Sequence, residues 1–199
     1  MIIKSIKKYP KKPRSKVIID NNLHEIENIV IAKYNLYEDM EIEEKEFYSI
    51  LDESDKEYGY NCALNYLSKY VKSEDQVIKY LKDKKIKHKN IDFIIERLKK
   101  NHFINDDKTI DVIIFGLIIA NNGRNLIRYK LYNKGFNENL IKEKLDNIDE
   151  ELYFDTLKEF FKKCEKKYAK YDDFNKKMKI KQYLVQRGYT LSDIEKLKI

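Results

Sequence analysis

The chain has 199 residues, is 42% hydrophobic and 38% charged, and carries a formal net charge of +7. That length admits one or two ordinary domains or a short repeat array. The longest apolar run, 112–120, is too short to cross a bilayer, so no membrane segment is expected.

The only prolines are Pro10 and Pro13, so the strongest helix breaker is absent from residue 14 onward. With abundant Lys, Glu, Leu and Ile, this favours an all-α body. The N-terminus is basic but has neither a hydrophobic stretch nor a cleavage site, and a cytoplasmic protein is expected. Cys62 and Cys164 are far apart without a CxxC partner, which predicts buried free thiols. The charge is uneven: residues 1–20 sum to +6, 21–58 to −9 and 59–105 to +6. A basic average suggests an acidic partner such as nucleic acid, although Lys-rich solvated helix faces give the same total.

In chain order, Lys16-Val17-Ile18-Ile19 is a short β-branched run followed by the turn signal Asp20-Asn21-Asn22, with residues 23–26 returning as a second strand. Two strands alone are marginal, so this piece must pack on something else. Residues 27–34 then read as a helix with Ile26, Ile29 and Val30 on one side. The acidic stretch 38–57 holds another with Phe47, Ile50 and Leu51 inward.

Ala63, Leu64, Leu67 and Val71 form the next helical stripe. Ser73-Glu74-Asp75-Gln76 is a capping box opening a helix that buries Val77, Ile78 and Leu81. Ile91, Ile94, Ile95 and Leu98 follow at helical spacing. Asn105-Asp106-Asp107 starts a helix that is almost wholly apolar from 112 to 120 and is therefore expected to be the most buried of the protein. Leu126, Ile127 and Leu131 face inward on the next helix, and Asn137 caps one that buries Leu140, Ile141 and Leu145. Leu152, Leu157, Phe160, Phe161 and Cys164 define a long helix from about Asp149. Phe174, Met178, Ile180 and Leu184 are assigned to the one after it, and Thr190 with Asp193 caps a last short helix carrying Leu191, Ile194 and Leu197.

Within this order one phrase occurs three times about fifty residues apart: Leu81-x-x-Lys84-Lys85-Ile86, Leu131-x-x-Lys134-Gly135-Phe136 and Leu184-x-x-Arg187-Gly188-Tyr189. Each leucine has an aliphatic residue one helical turn earlier, at Val77, Ile127 and Ile180. A basic residue, a glycine and an apolar residue in sequence make a helix stop. The unit is helix, tight turn, helix, used three times. The predicted fold is all-α: three tandem three-helix repeats in an elongated array, with a small mixed β/α N-terminal extension. The boundaries are 1–53 for the extension and 54–104, 105–148 and 149–199 for the repeats.

These residues resemble the RecX family of regulators of the RecA recombinase. The specific stretch is Ala63-Leu64-x-x-Leu67-Ser68, then Ser73, Leu81, the 91–98 helix and Phe103-Ile104-Asn105-Asp106-Asp107. Lys134-Gly135 and Arg187-Gly188-Tyr189 are similar to the family's recurrent stops, and 3–20 with 36–42 to its low-GC Gram-positive extension. The resemblance implies three three-helix units that bind the groove of the RecA–DNA filament and modulate, with inhibition expected, its strand exchange and ATP hydrolysis in homologous recombination and DNA repair. It implies no catalytic site. The chain departs from the family at Tyr70, at Thr109-Ile110 and in 113–122, where the family has several basic residues and this chain has none.

Candidate contact residues are cations. Lys79, Lys82, Lys84, Lys85 and Lys87, with Lys89 and His88, form the densest basic stretch of the helical body. Tyr66, Tyr70 and Tyr80 lie near it in sequence, available for stacking or for packing. Arg124, Arg128 and Lys130 follow Gly123, while Lys134 and Arg187 end helices, where a cation also interacts favourably with the dipole. His24, His88 and His102 share no metal-ligand spacing, and no P-loop or nucleophile motif occurs, so no cofactor, metal or enzyme is expected. The expected partner of the monomer is the RecA filament, with weaker phosphate-based nucleic-acid binding. The alternative is a stand-alone helix-turn-helix nucleic-acid-binding protein. The acids that open the third helices, Asp92, Glu138 and Asp193, argue against base reading.

Overall fold

The computed structural model describes residues 1–198. Three strands come first: β1 (Ile3–Lys7), β2 (Arg14–Ile19) and β3 (Asn22–Glu27). They are followed by α1 (Asn28–Lys33), α2 (Glu44–Leu67), α3 (Glu74–Asp83), α4 (His88–Lys100), α5 (Asp106–Ile119), α6 (Arg124–Asn133), α7 (Glu138–Asp146), α8 (Glu150–Lys167), α9 (Asp173–Gln186) and α10 (Leu191–Glu195). The chain divides into two compact units, one of residues 1–71 and 77–104, the other of 72–76 and 105 onward.

In the first unit the strands form an antiparallel sheet in the order β1-β2-β3. The sequence marks two of them; β1 is added on the far side of β2, with Ile6 opposite Val17. The β2–β3 hairpin turns at Asp20 and Asn21, both at positive φ, the two-residue turn that Asp and Asn tolerate best after glycine. One face of the sheet, with Ile3, Val17, Ile19 and Ile26, packs with Val30 and Ile31 of α1 and with Phe47 and Ile50 of α2. Ile29 was expected on this inner side but is exposed; Ile31 takes the place, because α1 has only two turns and its buried pair is consecutive. α2 runs unbroken through residue 54, its second half forming another core with α3 and α4. Its interior glycine, Gly59, lets Ile94 and Ile86 of the first unit pack close. The helix ends at Leu67, which leaves Val71 outside it and exposed.

The second unit has one core that runs from Ile110 of α5 to Ile194 of α10. Of the four apolar residues assigned to α9, Ile180 and Leu184 are buried, whereas Phe174 and Met178 are 71% and 45% exposed. Leu191 is exposed as well. Cys164 is buried and Cys62 half-buried, both as free thiols.

Leu81, Leu131 and Leu184 are fully buried and occupy one equivalent position. Each accepts the amide of the apolar residue five positions on: Ile86 at 3.2 Å, Phe136 at 3.3 Å and Tyr189 at 3.1 Å. The residue before each apolar one, Lys85, Gly135 or Gly188, is left-handed, with φ of 61°, 78° and 85°. Its amide bonds three residues back, to Lys82, Tyr132 or Val185. This pair of bonds is the Schellman helix stop, used three times.

Candidate partner-binding surface

The Schellman stop decides which cations reach solvent. On α3, Val77 and Leu81 point into the core, so Lys79 and Lys82 point away. The left-handed turn at Lys85 then carries Lys84 and Lys85 outside, and Lys87 is the extended residue before α4. Lys79, Lys82, Lys84, Lys85 and Lys87 are all exposed. Among the described residues, Lys82, Lys84, Lys85 and Lys87 have no carboxylate partner. Lys84 lies over the Tyr80 ring, 5.4 Å from its centre. Tyr66 and Tyr80 stack on each other, 4.2 Å apart and nearly parallel, so their faces meet within the protein. Lys89 belongs to another group: it pairs at 2.7 Å with Asp52. Burial would raise the Asp52 carboxyl, but hydrogen bonds from Lys56, Lys89 and Asn90 hold it well below the usual carboxylate range.

The second-unit cations divide differently. Arg124 is paired at 2.9 Å with Asp193, itself 3% exposed, and with Glu150. Its backbone amide donates to the Tyr153 hydroxyl, which donates in turn to Asp193. Burial, then the charge of Asp193, push the Tyr153 phenol well above its ordinary value, so it stays a donor. Arg187 donates to the carbonyls of Asn121, at 2.9 Å, and Ala120, closing the open end of α5. Gly123 and Asn125 donate to the carbonyls of Arg187 and Gly188 at 2.8 and 3.0 Å, so this turn is locked from both sides. Lys130 donates to the Asn122 side chain. Lys134 ends α6, and its carbonyl accepts from the Ser73 hydroxyl. Arg128 is exposed and unpaired among the described residues. Of the ten candidate cations, those of the α3–α4 turn and Arg128 are turned outward, whereas Arg124, Lys130 and Arg187 have partners within the fold.

The apolar helix departs most from expectation. α5 buries one stripe, Ile110, Ile114 and Ile118, with Ile113 and Leu117 half-buried beside it. The opposite stripe is open: Val112, Phe115 and Ile119 are 60%, 55% and 52% exposed. A helix needs only a third of its circumference to hold a core, and here the remaining positions are apolar without being covered. Beside this face lies a shallow groove of about 180 Å³, lined in part by Phe115, Asp111, Ile148 and Leu152. Lys144 bridges Asp107 and Asp111 at 2.9 and 3.0 Å on its rim.

Among the described residues, no three His, Cys, Asp or Glu gather as a metal site, and no helix is long and apolar enough to cross a membrane.

The family model described as RecX, third three-helix domain, matches residues 150–197. A regulatory protein RecX of Clostridium acetobutylicum is 30% identical over 189 residues, covering 92% of this chain and 88% of that one. The regulatory protein RecX of Bacillus cytotoxicus is 26% identical over 190 residues, covering 92% and 70%. A crystal structure of a regulatory protein RecX superimposes with a TM-score of 0.73 over 99% of this chain and 98% of that one, at 23% identity. RecX from Lactobacillus salivarius does so with a TM-score of 0.66 over 72% and 94%, at 27% identity. A chain with the thrice-used helix stop, an N-terminal sheet and a relative this similar over nearly its whole length belongs to the RecX family of regulatory proteins.

Proposed function

We propose that this protein binds the RecA–DNA filament as a monomer and inhibits RecA strand exchange and ATP hydrolysis, acting in the cytoplasm in recombination and DNA repair. It has no catalytic role of its own in this reading. The three repeats, 54–104, 105–148 and 149–199, act behind the extension 1–53. The observation that carries the reading, beside family membership, is the outward set Lys82, Lys84, Lys85 and Lys87, which have no carboxylate partner among the described residues. Four cations on one turn attract phosphate or carboxylate, and each phosphate contact adds a salt-dependent increment to affinity. Lys79 of the first unit and Arg128 of the second are exposed as well and are further candidate contacts. Arg124, Lys130 and Arg187 contribute by holding the turns, and Lys134 stands at the end of α6.

The test is RecA ATP hydrolysis on single-stranded DNA, titrated with the full chain and with a variant carrying Lys82→Glu, Lys84→Glu and Lys85→Glu. These residues are exposed, so the fold should persist by circular dichroism. The wild type should inhibit and the variant should not. Equal inhibition by both would remove the lysines from the site.

A further inference from the structure

The outer face of the N-terminal sheet is basic and uncovered. Ser15, Val17 and Ile19 of β2 point into the core, so Arg14 and Lys16 point out. The register sets Lys7 of β1 directly opposite Lys16. Like charges directly opposite each other destabilise a sheet, and an anion between them relieves the repulsion. The β1–β2 connection adds Lys8, Lys11 and Lys12. Lys7, Lys8, Lys11, Lys12 and Lys16 are all exposed, and none has a carboxylate partner among the described residues. Lys7 and Lys12 both lie over the Tyr9 ring, 5.6 and 5.2 Å from its centre, which holds two ammonium groups together. Beside them is a pocket of about 190 Å³ lined by Tyr9, Lys12, Pro13, Arg14, Lys16 and Glu25.

The acids around this face are engaged elsewhere. Glu25 pairs with Arg14 at 3.2 Å, and the buried Glu27 lies 3.7 Å from the same guanidinium. Glu38 accepts the Ile6 amide at the edge of β1, and Asp20 accepts the Ile2 amide at the hairpin turn. Glu57 of α2 pairs with Arg97. The five lysines remain as a surplus.

Rings and cations lead from this face to the lysine turn. Arg14 lies over the Tyr58 ring of α2, 4.3 Å from its centre. The Tyr58 phenol is raised above its ordinary value by its hydrogen bond with Cys62 first and then by burial, while Arg14 and the Tyr80 phenol also act on it. Lys84 in turn lies over the Tyr80 ring. Between Lys79 and Lys89 the only acid is Asp83. All these residues belong to the first unit. A basic path interleaved with aromatic rings suits the backbone of a flexible single strand. Among the residues of the three strands, only Leu23 is a large exposed hydrophobic, too little apolar area to anchor the face in a lipid surface.

We infer that the outer face of the N-terminal sheet is a second phosphate-binding surface, for a single DNA strand that runs on to the lysine turn of α3 and α4. The continuous path rests on the reading of that turn as a phosphate contact; the sheet site stands on its own charge.

The experiment titrates a labelled oligothymidylate with the full chain, read by fluorescence anisotropy at low and at moderate salt. The wild type is compared with a variant combining Lys7→Gln, Lys12→Gln and Lys16→Gln, and with Lys12→Glu alone. The combined variant should bind about tenfold or more weakly at low salt, and its salt slope should be shallower by about two, since each phosphate contact on a single strand contributes about 0.7. Its melting temperature should hold or rise, because the Lys7–Lys16 repulsion is gone. Lys12→Glu lies in the connection between strands and should weaken binding whatever the combined variant does to the fold. Wild-type affinity and slope in both variants would overturn the inference, and RecA ATP hydrolysis would still decide the filament reading. Loss of binding to phosphatidylserine vesicles with oligothymidylate binding unchanged would overturn it too, by assigning the face to a membrane. So would a wild-type chain that does not bind the oligothymidylate at low salt.

Discussion

Lys85 does what glycine does in the other two repeats. At φ of 61° it is left-handed, as Gly135 and Gly188 are, and a side chain there costs about 1–2 kcal/mol. A lysine stands where glycine would be easier, and its ammonium is one of the outward cations. Lys85→Gly should therefore raise stability by about 1 kcal/mol while weakening filament binding. Chemical denaturation measures the first effect, and an unchanged or lower midpoint would contradict the strain. The leucine phrase made the stop legible in the sequence at all three sites, including this one without glycine. What it left open was the partner of each cation. Arg124 pairs with Asp193, 69 residues away, and Arg187 caps the end of α5, 66 residues back; spacing does not encode such distances.

At the scale of elements, caps were read well, stripes failed at Ile29 and Val71, and outer faces were read poorly. Asn105, Asn137 and Thr190 accept the amides that their positions promised, and Asp149 caps α8 in the same way. Ser73 and Gln76 exchange bonds at 3.2 and 3.3 Å. For α5, continuous hydrophobicity erased the periodicity that distinguishes inside from outside, and the helix was expected to be the most buried. The structure divides it, and mutation should do the same. Ile114→Ala should cost about 2–5 kcal/mol, whereas Val112→Ala should stay within about 0.5 kcal/mol, as surface changes do. Equal losses from thermal or urea melts would contradict a one-sided helix.

The N-terminal sheet is tied to α2 through Glu27, which is 2% exposed, accepts from Asn61 and lies 3.7 Å from Arg14. Burial raises its carboxyl above the ordinary value, against the pull of Arg14. A raised carboxylate binds its proton more tightly when folded, so stability falls as pH rises from the unfolded value through the folded one. Glu27→Gln lacks that loss. Its melting temperature relative to wild type should be higher at pH 7 than at pH 4, and a difference independent of pH would contradict the assignment.

For the whole molecule, the repeat, the all-α body and the family were legible because they depend on local stops and on order along the chain. The third strand was not, since β1 is five residues with a bulge-like shift and is held by Ile2, Ile3 and Met40 through long-range pairing. The uneven charge was also legible, and it sets the central expectation. A basic turn that neutralises phosphates should bind bare DNA with steep salt dependence, while apolar burial against protein resists salt. The most direct measurement is co-sedimentation of the full chain with RecA filaments and with the same DNA alone, at low and at moderate salt. DNA binding should collapse as salt rises while filament binding largely persists. Bare DNA bound as tightly as the filament at moderate salt would contradict it and favour a stand-alone nucleic-acid-binding protein.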